Sequence, residues 1–130
     1  KMLNDRRHIM PINAIHKASL LSDDFKTGHG NFIGARVVAG ADVTLGNHNI
    51  VHAGAILDAD VAIGDFCEIG AGTIINSQVI IEDEVFIGSG VTIVSGIKIG
   101  KGARIGAGSV VIEHVAPKAT YFGNPAKKVS

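Results

Sequence analysis

Residues 81–106 read IEDEVFIGSGVTIVSGIKIGKGARIG, a stretch in which isoleucine recurs at every sixth position. Outward from this stretch the same grid runs from residue 15 to residue 111, and only Thr27 and Ala39 on it are not Ile, Leu or Val. A second grid of smaller residues lies two positions earlier in each repeat, as Val85 and Val91 do. Alternation by two is typical of a strand with one buried face. Each hexapeptide is therefore predicted to form one short strand and one corner.

Glycine follows the large aliphatic residue in many repeats, as at Gly70 and Gly88. We expect glycine there because its backbone adopts turn conformations that other residues resist. Strands this short cannot bury a hydrophobic face alone, so the corners are predicted to wind the chain into a coil whose turns stack. With three hexapeptides in each turn, one stacked column contains Ile33, Val51, Ile69, Ile87 and Ile105. The sequence thus predicts an all-β fold, a parallel β-helix of about five to six turns.

Composition narrows the classes of partner. The 130 residues include 12 basic and 12 acidic side chains and no long charge run, so the formal net charge is zero. We therefore expect no binding to nucleic acid or to an anionic membrane surface. No stretch reaches the 18 or more apolar residues of a spanning helix, and the single Cys67 cannot form an internal disulfide. These features favour a cytoplasmic location, with Cys67 as inert packing on the small inward grid.

The two ends depart from the repeat. Residues 1–14 are predicted to be a lead-in segment, residues 15–115 the hexapeptide-repeat β-helix, and residues 116–130 a short C-terminal cap. The cap contains Pro117, Pro125 and two aromatic residues. We expect it to cover the end of the coil, which would otherwise expose unpaired strands.

Two motifs carry a resemblance to a known family. IGAGSVV at residues 105–111, followed by GNPAK at residues 123–127, is similar to the terminal signature of the left-handed β-helix hexapeptide-repeat acyltransferases. IVHAGAILDADVAIGDF at residues 50–66 resembles the branch that contains sialic acid O-acetyltransferases and nucleotide-sugar N-acetyltransferases. The resemblance covers residues 15–129. It implies a left-handed coil, a homotrimer, acetyl-CoA as acyl donor and no metal.

The resemblance also implies a reaction, which is transfer of an acetyl group to an amino or hydroxyl group of a sugar, and of a nucleotide-linked sugar in particular. Members of this branch commonly carry an N-terminal nucleotide-sugar-binding domain, for which the residues before Ile15 are too few. In this branch the residue between the two acids Asp58 and Asp60 is normally the general-base histidine, but here it is Ala59. Nine positions later, Glu68 stands where a second histidine is usual.

The candidate catalytic residues are therefore His52, Asp58, Asp60 and Glu68. Imidazole is suited to proton transfer near neutral pH. We expect His52 to face outward near a subunit groove, together with His48 and Asn49. The alternative for His52 is an exposed corner histidine, and for the carboxylates simple solvation.

Donor binding is expected to depend on main-chain groups of the repeat in a groove between neighbouring subunits. The resemblance places Ser89 and Ala107 along the pantetheine arm. Lys127, with Lys118 and Lys128, is a candidate for charge-assisted contacts with the CoA phosphates. Ordinary surface charge is the alternative for these lysines.

Two other functions remain open. Because Ala59 cannot accept a proton, the chain is alternatively a catalytically silent trimeric scaffold. A zinc-dependent carbonic anhydrase of the gamma type is the third possibility, and it requires three histidine ligands that converge at a subunit interface. The spacing of His48 and His52 does not resemble that arrangement.

Overall fold

The computed structural model describes residues 12–130 of the protein. From residue 14 to residue 111 the chain forms very short parallel strands joined by four-residue corners. Most of the predicted lead-in segment, residues 1–11, lies outside the described residues. The strands in chain order are β1 Ala14–Ile15, β2 Leu20–Leu21, β3 Lys26–Thr27, β4 Phe32–Ile33, β5 Val38–Ala39, β6 Thr44–Leu45, β7 Ile50–Val51, β8 Ile56–Leu57, β9 Ala62–Ile63, β10 Glu68–Ile69, β11 Ile74–Ile75, β12 Ile80–Ile81, β13 Phe86–Ile87, β14 Thr92–Ile93, β15 Lys98–Ile99, β16 Arg104–Ile105, β17 Val110–Val111, β18 Thr120–Gly123 and β19 Ala126–Lys128.

The strands form three sheets that make the three faces of a triangular coil. From β1 to β14, each strand pairs in parallel with the third strand after it, so successive turns lie one above another. The first face contains β1, β4, β7, β10, β13 and β16; the second face runs from β2 to β17 and the third from β3 to β15. We name the corners I (first to second face), II (second to third) and III (third to first). The predicted all-β parallel β-helix, of about six turns, is confirmed.

The core is a stack of aliphatic side chains, because the second residue of each strand points inward. The predicted column is confirmed, since Ile33 pairs with Val51 and each later member of the column with the next. All five members are buried. Full burial of one such side chain is worth roughly 1.5–3 kcal/mol, so this stack is the main stabilising element. Ile15, on the same grid, is 44% exposed in the first described coil.

The inward positions at corner III are polar in the first coils, which corrects one prediction. Asn49 was expected to face outward, but its side chain is completely buried. Its Nδ2 donates to the carbonyl of Gly64 at 2.8 Å, and its Oδ1 accepts from the N–H of Cys67 at 2.7 Å. Asn49 lies on the grid of small inward residues, and the coil hydrogen-bonds the amide group instead of exposing it.

The reason expected for the repeated glycines is also wrong. Glycines directly after the large aliphatic residue, such as Gly70, do not have a positive φ; the left-handed residues come two positions later, as at Gly72 with φ +69°. Gly70 is instead required by close approach, because a Cβ there would overlap with the main chain of Gly88 and Ser89 in the next coil.

The C-terminal residues extend the first face. β18 pairs in parallel with β16 and antiparallel with β19. Tyr121 takes the inward position below Ile105 and is buried, whereas Phe122 points outward. The aromatic ring of Tyr121 is thus the last inward side chain of the first face. In the part of the chain that the structure describes, no helix is long and apolar enough to cross a bilayer.

Candidate active site

His52 and Glu68 form a hydrogen-bonded pair on the outside of the coil. The Nε2 atom of His52 lies 2.9 Å from Oε2 of Glu68. His52 is the first residue of corner I after β7, and Glu68 is the outward residue of β10 in the next coil. Their side chains are 41% and 42% exposed, so the pair is fixed against the coil and still reached by solvent.

The neighbours of this pair on the first face are largely apolar. Glu68 pairs in register with Ile50 on one side and Phe86 on the other. The guanidinium carbon of Arg104 lies 4.9 Å from the centre of the Phe86 ring, one coil further. The pair therefore lies in an apolar strip that ends in a cation.

Corner I continues from His52 as a ridge of small residues. Ala53, Ala71, Ser89 and Ala107 stack along it, and all four are exposed. Main-chain hydrogen bonds hold the ridge, for example from the N–H of Gly108 to the carbonyl of Ser89 at 2.9 Å. The N–H groups of Ser89 and Ala107 have no acceptor among residues 12–130. They are thus available to an amide-containing chain lying along the ridge.

Phe122 and Lys127 lie at the far end of corner I. The ring of Phe122 covers Gly106, since a Cβ on that glycine would overlap with it. Lys127 is the cross-strand partner of Phe122 in the β18–β19 hairpin, and both side chains are exposed. The sequence reasoning missed Phe122, and it also missed Phe86 and Arg104. Their common signal is an outward position on the first face, and the sequence reasoning followed the inward grids of the repeat but not its outward positions.

Asp58 and Asp60 lie elsewhere, at corner II. Oδ1 of Asp58 accepts from the N–H of Ala59 at 2.7 Å, and Asp60 is exposed with φ +63°. The second face separates them from corner I. A single chain therefore brings His52 and Glu68 together but not the two aspartates with them.

Two further predicted residues lie on corner III. His48 faces outward, as expected, but its ring stacks on Phe66 with 5.2 Å between ring centres, away from His52. Cys67 is buried, and its thiol donates to the carbonyl of Glu82 at 3.0 Å. Burial raises the pKa of the Cys67 thiol to about 11. The prediction that this cysteine is inert packing is therefore supported.

A shallow groove of about 250 Å³ opens near the end of the third face. Lys98 and His114 line it, together with Glu82. The Nζ of Lys98 lies 3.2 Å from Oε2 of Glu82, and the hydrogen bond between these side chains lowers the pKa of the Glu82 carboxyl. None of the predicted site residues lines this groove. Within residues 12–130 of one chain, no three His, Cys, Asp or Glu side chains are grouped to hold a metal ion.

The chain is similar to solved acetyltransferases over nearly all its length. It superposes with a TM-score of 0.92 on a histidine-to-alanine mutant of GDP-perosamine N-acetyl transferase from Caulobacter crescentus, solved with CoA and GDP-perosamine, at 30% identity over 94% of this chain and 58% of that chain. The acetyltransferase domain of PglB from Neisseria gonorrhoeae, in complex with acetyl coenzyme A, also gives 0.92, at 28% identity over 94% of this chain and 60% of that one. The chain thus spans about three fifths of the length of these two proteins.

Other comparisons agree with the fold. AntD, an N-acyltransferase from Bacillus cereus solved as a serine-to-threonine mutant with dTDP and coenzyme A, has a TM-score of 0.85 at 20% identity over 92% of this chain and 82% of that chain. No curated protein sequence matches the chain. Residues 78–113 match the family described as bacterial transferase hexapeptide (six repeats). The expected resemblance is thereby confirmed: this chain has the hexapeptide repeat and the fold of the left-handed β-helix acyltransferases, close to the nucleotide-sugar N-acetyltransferases.

Proposed function

We propose that this protein transfers an acetyl group from acetyl-CoA to the amino or hydroxyl group of a sugar, with a nucleotide-linked amino sugar as the preferred acceptor. The observation that carries the proposal is the superposition on two acetyltransferases solved with CoA or acetyl coenzyme A, one of them also with a GDP-linked sugar. The proposal includes the cytoplasmic location expected from the sequence.

The donor lies along corner I. The unpaired N–H groups of Ser89 and Ala107 donate to the amide carbonyls of the pantetheine arm. Lys127 binds a CoA phosphate by a charge-assisted contact, and the exposed Phe122 ring beside it offers a stacking surface for the adenine. Support comes from the order of these groups along corner I, with the Phe122–Lys127 pair at the far end of the ridge.

The active unit is a homotrimer in which the second faces surround the threefold axis. The outward positions of that face carry no charge: Leu20, Val38, Ile56, Ile74, Thr92 and Val110. The first face carries Glu68 and Arg104 and the third carries Lys26 and Lys98, so the second face is the apolar one. Exposed apolar surface of this extent is typical of an interface.

This arrangement assembles the predicted site. With the second faces toward the axis, corner I of one subunit meets corner II of the next, because the two corners flank that face. Asp58 and Asp60 of one copy then approach His52 and Glu68 of the other, on coils at the same height. The four candidate residues, divided within one chain, line one cleft between subunits.

Calorimetric titration with acetyl-CoA tests the donor site. We expect saturable binding that is lost in Ser89→Trp, because the indole covers the ridge. Lys101→Trp is the matched control, since Lys101 has the equivalent exposed position at corner III. No detectable binding to the unmodified protein at millimolar acetyl-CoA would refute the proposal.

A catalytically silent scaffold is the second candidate, and Ala59 is the observation that favours it. If the scaffold is correct, CoA release in the presence of GDP-perosamine appears only in Ala59→His. Turnover by the unmodified protein dismisses the scaffold.

A further inference from the structure

We infer that the His52–Glu68 pair provides the general base that Ala59 cannot provide. His52 is the catalytic residue, which takes the proton of the acceptor at Nδ1, and Glu68 is a positioning residue that holds the ring. This inference rests on the acetyl transfer proposed above and identifies how the same site performs it. The observation is the 2.9 Å contact between Nε2 of His52 and Oε2 of Glu68.

The contact determines which ring nitrogen acts. An ionised carboxylate has no proton to donate, so Nε2 of His52 carries the hydrogen of this bond. In the neutral ring Nδ1 then has an open lone pair, and among residues 12–130 no group hydrogen-bonds to it. A carboxylate that fixes the tautomer of a histidine base is the relationship found in catalytic triads.

The position of His52 fits contact with a donor on corner I. His52 occupies the first position of the corner, and the three following coils have glycine there: Gly70, Gly88 and Gly106. No side chain therefore stands at this position between the imidazole and the ridge formed by Ser89 and Ala107. We expect the thioester end of the pantetheine arm to approach His52 over Gly70 and Gly88.

The carboxylates at corner II are less suited to this role. Asp58 already accepts the N–H of Ala59 within its own turn. Asp60 is exposed and has no hydrogen-bond partner among the described residues that would hold its orientation. Among residues 12–130, neither aspartate forms a side-chain hydrogen bond or ion pair with a titratable side chain, whereas His52 does so with Glu68.

The acceptor nitrogen or oxygen attacks the thioester carbonyl carbon and forms a new C–N or C–O bond, while Nδ1 of His52 takes the acceptor's proton. The tetrahedral intermediate then collapses with cleavage of the C–S bond. The imidazolium returns the proton to the CoA thiolate, so the products are the acetylated sugar and CoA, and His52 is neutral again.

Few charges other than Glu68 surround the imidazole. Beside Glu68 on the first face lie Ile50 and Phe86, with Arg104 one coil further. Along corner I, the preceding coil carries Arg36 and the following coil only glycine, alanine and threonine. Asp58 and Asp60 of an adjoining subunit are the remaining charged groups of the proposed cleft.

The experiment compares the trimeric wild type with His52→Gln, Glu68→Gln and the matched control His29→Gln, an exposed histidine away from the cleft. CoA release is followed from pH 5 to pH 9 with acetyl-CoA and GDP-, UDP- and dTDP-linked amino sugars as acceptor probes. Acetyl-CoA binding is measured on each variant, and ¹⁵N shifts of the histidine rings report the tautomer.

We expect His52→Gln to lower kcat by about 10²–10⁴-fold, with acetyl-CoA binding retained. Glu68→Gln lowers kcat without raising the KM for acetyl-CoA and removes the preference for the Nε2–H tautomer. The inference is overturned if the wild type releases CoA no faster than His52→Gln does. It is also overturned if the neutral His52 ring of the wild type carries its hydrogen on Nδ1. Failure to bind acetyl-CoA refutes the proposed function itself, so the two failures are distinguishable.

Discussion

The side-chain oxygen of Asn31 accepts a hydrogen bond from the main-chain N–H of Asn49, one coil further along, at 2.8 Å. Asn49 repeats this contact with the N–H of Cys67 at 2.7 Å. The amide side chains thus bridge successive coils inside corner III, where the main chain alone leaves these N–H groups without partners. This ladder is a polar element within an otherwise aliphatic core.

Asn49→Ala is therefore expected to destabilise the coil. It leaves the N–H of Cys67 and the carbonyl of Gly64 without the Asn49 amide, and one buried unsatisfied group costs about 1–3 kcal/mol. Asn76→Ala is the control, because Asn76 is only half-buried and makes one side-chain hydrogen bond, to the carbonyl of Ile93. Urea unfolding measures both variants, and equal losses would contradict the ladder's role.

Gly70 and Gly72 are required for different structural reasons. The Cβ of an alanine at position 72 would have no neighbouring atom within contact distance. The cost in stability is only that of the left-handed φ of +69°, about 1–2 kcal/mol. Alanine at position 70 places its Cβ into the main chain of the next coil, and we expect a loss of about 3 kcal/mol. Thermal unfolding of the two variants tests this order, and the reverse order would show that the coils separate without cost.

Cys67 makes stability depend on pH in the alkaline range. Because burial raises its pKa from 9.0 to about 11, the folded protein keeps the thiol neutral where the unfolded chain ionises it. This contribution is complete below pH 9 and is lost as the pH rises to about 11. Cys67→Ala removes it, and Ala103 already occupies the equivalent position two coils on.

The measurement for Cys67 is the difference in urea midpoint between wild type and Cys67→Ala, which cancels the titration of lysines and Tyr121. We expect the difference to shrink only above pH 9. A thiol reagent at pH 8 is expected to modify the protein only in urea, and rapid modification of the folded protein would contradict the burial.

The hexapeptide grid predicted the coil because strands this short bury their hydrophobic face only when successive turns stack. A six-residue period with one inward aliphatic residue therefore predicts a β-helix. It correctly placed the column through Ile69 and Ile87, and it correctly predicted that Ile63 and Ile99 are buried. It did not predict the inward Asn49, since an asparagine looks like a surface residue until its partners in the adjacent coils are known. It also gave the wrong reason for Gly70, because close approach between coils has no signature within one repeat.

The sequence predicted only part of the candidate site, for a related reason. The resemblance drew attention to positions 59 and 68, and His52 was already a candidate. Its contact with Glu68 joins residues in adjacent coils. Three hexapeptides in each turn place the two residues in neighbouring coils but do not specify that their side chains meet. In the proposed trimer Asp58 and Asp60 lie across a subunit boundary from His52, and a single chain does not specify contacts of that kind.

The proposed trimer makes the second face more sensitive to charge than the third. Ile74 and Ile80 are both outward strand residues, 38% and 49% exposed, on the second and third face. Ile74→Glu places three carboxylates near the threefold axis, where they repel one another and lose hydration, so we expect monomers in light scattering. Ile80→Glu is expected to remain a trimer with wild-type acetyl-CoA binding.

Because the proposed cleft needs corner II of a second copy, Ile74→Glu also loses CoA release with GDP-perosamine, while its circular dichroism retains the β-helix signal. A trimeric Ile74→Glu, or a monomeric Ile80→Glu, would show that the subunits associate through a different face.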